Sequence, residues 1–171
     1  MSDTTAPKLN PAEYNASLEI ILEDKRKEWD KRLSELFPRM KGHPESVVDI
    51  QAEALSFRQM LSEEVAYFGK QLSNEHKKLK KLRKDRFLYY STGTLPEGVK
   101  RPALFVDSPM VGLRATKGEK DLVIAGDLAE QERTADLFSN IIDYLGECRK
   151  NIDHCLYGVR NRIELLKVLM L

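Results

Sequence analysis

The side chains with chemistry to offer are gathered in one stretch, HKKLKKLRKDRFLYYSTG, from His76 to Gly93. Lys77, Lys78, Lys80, Lys81, Arg83, Lys84 and Arg86 crowd it, Asp85 is its one acid, and Phe87, Tyr89 and Tyr90 close it. Cations at this density with aromatic rings at the end suit an anionic polymer, phosphates meeting the charges and bases meeting the rings. Seven basic side chains against one acid give the segment +6 in a chain of net charge +1, so all other residues together sum to −5. Positive potential is focused in one place.

At about 100° per residue, a helix places Lys77, Lys80, Lys81 and Lys84 on one face and Leu79 and Leu82 on the other. The apolar stripe continues backwards through Leu72, Phe68, Val65 and Leu61, and forwards it brings Arg86 and Tyr90 to the same side. An arginine on an apolar seam needs an acceptor, either a carboxylate or a phosphate. Tyr90 continues the buried stripe and is expected to pack, whereas Tyr89 is open to stacking on a base. The competing reading is a solvated charged face with Arg86 in a structural salt bridge.

The elements that must position this segment are mostly helical. Residues 1–11 (Met1 to Pro11) read as a disordered tail and residues 12–44 as an N-terminal helix and hinge, with Leu18, Ile21, Leu22, Trp29, Leu33, Leu36 and Phe37 as the buried stripe. Trp29 is expected to be a packing anchor. Pro38, Gly42 and Pro44 are expected to break this helix. Residues 45–171 read as the core. A second helix starts at Glu45 or Ser46 and runs to about Tyr90, and a Gly- and Pro-rich loop from Ser91 to Asp107 follows, with Lys100 and Arg101 near the basic helix.

Met110 to Thr116 and Asp121 to Gly126 then flank the turn Lys117-Gly118-Glu119-Lys120 and predict a two-stranded hairpin. The last helix is expected from Leu128, capped by Asp127, to Leu171. Its seam of Phe138, Ile141, Leu145, Cys148, Ile152, Cys155, Val159, Leu166 and Leu169 steps by three and four, interrupted by Arg162. Phe138, Ile141, Leu145, Ile152, Val159, Leu166 and Leu169 are the expected oligomer interface, with burial inside the monomer as the alternative. The fold class expected is therefore mostly α with a small β-hairpin (α+β), long amphipathic helices around the hairpin assembling into a ring-like homo-oligomer.

No catalytic constellation emerges. His43, His76 and His154 are dispersed, and neither a nucleophile elbow nor a Walker motif occurs. Cys148 and Cys155, two turns apart, read as core thiols of a reducing cytoplasm. An enzyme is not expected, nor a cofactor or bound metal, and no stretch approaches the roughly 20 apolar residues that span a bilayer.

At Lys84, Arg86, Tyr89-Tyr90-Ser91 and Gly93 the sequence resembles the UvsY family of bacteriophage recombination mediators. That family carries a basic residue, one spacer, an arginine, two further residues, then Tyr-Tyr-Ser and a glycine; here the order is KDRFLYYSTG, with Thr92 inserted before the glycine. LRATKGEKDLVIAGD looks like the family's hairpin, and the C-terminal helix looks like its assembly helix. The resemblance implies a homo-oligomeric ring, a hexamer or heptamer, acting in DNA recombination and DNA repair in the host cytoplasm. It implies binding of single-stranded DNA and help for a RecA-like recombinase to replace a single-strand-binding protein. The DNA-contacting pair carried over is Lys84 and Arg86. With the lysine face, the expected DNA-binding residues are Lys77, Lys80, Lys81, Lys84, Arg86 and Tyr89. The other functional class is a helical scaffold or adaptor whose basic helix binds an acidic protein or an anionic membrane surface.

Overall fold

The computed structural model describes residues 10–40, 47–93 and 116–169. They form three helices, α1 (Pro11–Met40), α2 (Val47–Thr92) and α3 (Lys117–Leu169), and no strand occurs among them. Side chains cap the N-termini of α1 and α3, and a glycine ends α2. Asn10 and Glu13 exchange hydrogen bonds, the Glu13 amide donating to Asn10 Oδ1 at 2.9 Å and the Asn10 amide to Glu13 Oε2 at 3.2 Å. Pro11 follows as the first helical residue, where a missing amide hydrogen has no intrahelical partner to lose. At the end of α2, Gly93 takes φ 72° and its amide donates to the Tyr89 carbonyl at 2.8 Å, the left-handed cap that glycine adopts without strain.

The hairpin is not formed. Thr116 and Glu119 make a reciprocal capping box: the Thr116 amide donates to Glu119 Oε2 at 2.7 Å, and the Glu119 amide to Thr116 Oγ1 at 3.3 Å. The supposed turn Lys117 to Lys120 is thus the first turn of α3, and Asp121 to Gly126 is helical behind it. Ile124 and Leu128 repeat at helical spacing and share an apolar cluster with Val123, whereas a strand would turn adjacent Val123 and Ile124 to opposite faces. Asp127 lies within α3 and caps nothing. The first expected strand, apart from Thr116, lies outside the described residues, as do Lys100, Arg101, Gly42 and Pro44. Pro38 does not end α1, which continues two residues to Met40; in a last turn a proline forfeits few backbone bonds.

The chain divides into two units, one from Met1–Ser17 with Leu72–Asp136, the other from Leu18–Gln71 with Leu137–Leu171. In the first, Tyr89, Tyr90, Ile124 and Leu128 form the buried cluster, and Leu79, Leu82 and Val123 pack against it. Asn15, also buried, donates to the Glu130 carbonyl at 2.7 Å and accepts from the Thr134 hydroxyl at 2.6 Å, tying the start of α1 to α3.

In the second unit Trp29 is fully buried, stacked edge-on against Phe57 at 5.8 Å, and its indole N–H donates to Glu64 Oε2 at 2.7 Å. Lys25 donates to the other oxygen of Glu64 at 3.0 Å, so this carboxylate serves two partners. Phe138, Ile141, Leu145, Cys148, Ile152 and Val159 are buried here by the chain itself. Five of the seven residues expected at an oligomer interface, Phe138, Ile141, Leu145, Ile152 and Val159, are thus buried within the single chain, the alternative that the sequence left open. The side chains of Leu166 and Leu169 lie outside the described residues. Arg162 is exposed and therefore not a buried ion-pair member, while Leu165 and Val168 beside it are exposed apolar residues.

Candidate nucleic-acid interface

The basic segment forms the last turns of α2, from His76 to Thr92, in the first unit. Its inner face is set by Leu79, Leu82, Tyr89 and Tyr90, which anchor on Ile124 and Leu128 of α3. Because that side is fixed, Lys77, Lys80, Lys81 and Lys84 all emerge on the outside, exposed, three or four residues apart. None of the four forms an ion pair among the described residues. Their neighbours do: Lys78 meets Glu75 at 2.6 Å, Arg83 meets Glu132, and Arg86 meets Asp127 at 2.6 Å. The charges left uncompensated are therefore the four lysines of a single face.

Two of the six expected DNA-binding residues are placed elsewhere. The Arg86 side chain is 13% exposed and its Asp127 partner 5%, so the acceptor that an arginine on the apolar seam requires is a carboxylate of α3. Burial pushes the Asp127 carboxyl upward against the opposing pull of Arg86. Tyr89 is only 4% exposed and packs edge-on against Tyr90 at 5.4 Å, which removes it as a stacking platform. Tyr90 is buried too, and burial, reinforced by the Asp127 charge, pushes its phenol up to about 12.

The aromatic ring that does reach the surface is Phe87, 42% exposed, with Leu88 beside it at 43%. They stand three and four residues beyond Lys84, so the lysine face runs into them without a change of side. In the sequence the neighbouring tyrosine pair obscures Phe87. The signal was present in the spacing, since Phe87 continues the lysine register and Tyr90 the leucine register.

Between this face and α3 lies an open groove of about 780 Å³. Leu79, Phe87 and Ile124 supply apolar lining, and Lys80, Lys84 and Lys117 supply cations. Asp121 and Asp136 line it from α3. No group of three or more His, Cys, Asp or Glu arranged to hold a metal ion occurs among the described residues. No described helix is long and apolar enough to cross a membrane.

Compared with family models, curated proteins and solved structures, the chain matches none.

Proposed function

We propose that this protein is a non-enzymatic, single-stranded-DNA-binding recombination mediator of the UvsY type. The observation that carries the reading is the face of Lys77, Lys80, Lys81 and Lys84, four exposed cations in one register with no carboxylate partner among the described residues. Such a face follows phosphates with little regard for sequence, and its contacts weaken as salt rises. The assignment to recombination rests on the KDRFLYYSTG resemblance. Its partners in this reading are a RecA-like recombinase and a single-strand-binding protein in the cytoplasm of a phage host. A ring-like homo-oligomer repeats the lysine face and raises affinity by multivalency; its contacts use surface outside the Phe138 to Val159 seam, which the chain already fills.

The test is fluorescence anisotropy of labelled single-stranded and duplex oligonucleotides at two salt concentrations, with particle mass from light scattering in the same buffers. Salt-sensitive preference for the single strand by a multi-subunit particle is the expected result. Absence of binding to either polymer at low salt overturns it. Exposed Phe87 and Leu88 beside the lysines also favour a second reading, an adaptor docking on anionic lipid. Binding to acidic vesicles without binding to DNA selects that one.

A further inference from the structure

A lysine face alone does not tell one nucleic acid from another, because duplex and single strand both present phosphates. The groove beside it supplies what is missing. Phe87 stands at the end of the lysine register with its ring partly in solvent, and it lines the groove together with Leu79 and Ile124. Lys80 and Lys84 line the same groove from α2. The opposite helix contributes Asp121 and Asp136, both exposed and without an ion-pair partner among the described residues. With Glu132 they outnumber Lys117, the cation that α3 also places in the groove, so the α3 wall is net negative and a polynucleotide backbone is held along α2.

We infer that Phe87 and this groove take one unstacked nucleobase, with the adjoining phosphates on Lys80 and Lys84. A base held in a duplex cannot enter, since it is stacked and paired, whereas a single strand turns its base inward at little cost. Phe87 thereby makes an otherwise indifferent cationic face selective for single strands. This inference rests on the nucleic-acid reading above and deepens it by naming the residue that discriminates.

The experiment compares the full-length protein with Phe87→Ala, Phe87→Trp and the pair Lys80→Ala, Lys84→Ala, using labelled single-stranded and duplex oligonucleotides of equal length. Phe87→Ala is expected to lower single-strand affinity roughly 5- to 150-fold, the range for losing one stacked base. Its duplex affinity and salt slope stay at the wild-type values, because no phosphate contact is removed. Phe87→Trp keeps single-strand affinity, and its emission above the Trp29 background is quenched by single strands and not by duplex. The lysine pair lowers binding of both polymers together with the salt slope. Far-UV circular dichroism confirms that the variants are folded, as substitution at a half-exposed position permits. An unchanged single-strand affinity in Phe87→Ala, an equal loss on both polymers, or an unquenched tryptophan overturns the inference while leaving lysine-dependent binding in place. Failure of the wild-type protein to bind either polymer at low salt overturns the nucleic-acid reading, and the inference with it.

Discussion

The Arg86 guanidinium Nε lies 2.6 Å from Asp127 Oδ2, a contact from the end of α2 to the third turn of α3 with both side chains almost out of solvent. A buried ion pair of this kind contributes little over an apolar pair of equal size, but removing one member leaves the other charged and unpaired. Arg86→Ala or Asp127→Ala is therefore expected to destabilise the protein by about 3 kcal/mol. The double replacement Arg86→Met with Asp127→Leu costs less than either single change. Urea unfolding of the three variants checks this, and additive losses would show that the pair is not coupled. Any loss of DNA binding in Arg86→Ala then accompanies loss of structure, which separates it from Lys84.

Tyr90 adds a pH dependence to the same cluster. Burial chiefly, with the Asp127 charge next, raises its phenol from 10.0 to about 12. Between those values the folded protein keeps a proton that the unfolded chain has released, so stability falls as pH rises through the window. The slope is at most about 1.4 kcal/mol per pH unit for one group. Tyr90→Phe is expected to flatten the alkaline limb of a stability profile between pH 10 and 12. The flattening is partial, because burial also raises the phenol of Tyr144. An identical limb in the variant would remove Tyr90 as the titrating group.

What the sequence made legible was whatever depends on period alone. Trp29 as an anchor, the Leu61 to Leu82 stripe, the opposed lysine face and the long course of α2 all follow from spacing by three and four. The start of α3 resembles a hairpin in the sequence, because adjacent Val123 and Ile124 look like a strand and Gly118 like a turn, yet it is helical. The letters Thr116-Lys-Gly-Glu119 carried the capping box all the same. Tyr89 is covered by the helical packing of Ile124 and Leu128, which depends on how α3 lies against α2. The partner of Arg86 depends on the register of α2 against α3, which no local pattern encodes. The seam from Phe138 to Val159 was legible as a seam, but periodicity does not state whether the surface filling it belongs to the same chain.

Glycine substitutions distinguish the helical start of α3 from a hairpin. A Cβ added at Gly118 or Gly126 meets nothing within 4 Å, and neither residue has positive φ. Gly118→Ala and Gly126→Ala are each expected to stabilise the protein by about 0.5–1 kcal/mol. In a tight hairpin turn the first of them would be destabilising. Thr116→Ala is expected to cost about 1 kcal/mol by opening the capping box. Thermal unfolding gives the signs, and faster amide exchange confined to the first turn of α3 locates the effect of Thr116→Ala.

Compensation by carboxylates ranks the basic residues for phosphate contact. Lys77, Lys80, Lys81 and Lys84 have no ion-pair partner among the described residues, whereas Glu132 holds the Arg83 charge. A cation already paired releases less of its charge to a phosphate, and breaking the pair exposes the carboxylate to the incoming polyanion. Each single lysine-to-alanine change is expected to reduce the slope of log affinity against log salt by about 0.7, the value for one phosphate contact on a single strand. Arg83→Ala is expected to reduce it by less, and all five variants should keep wild-type stability to about 0.5 kcal/mol, since their heads lie in solvent. Anisotropy titrations across a salt series measure the slopes. A larger change for Arg83 than for Lys84 would show that phosphate competes successfully with Glu132 for the paired arginine, and that compensation does not rank these cations.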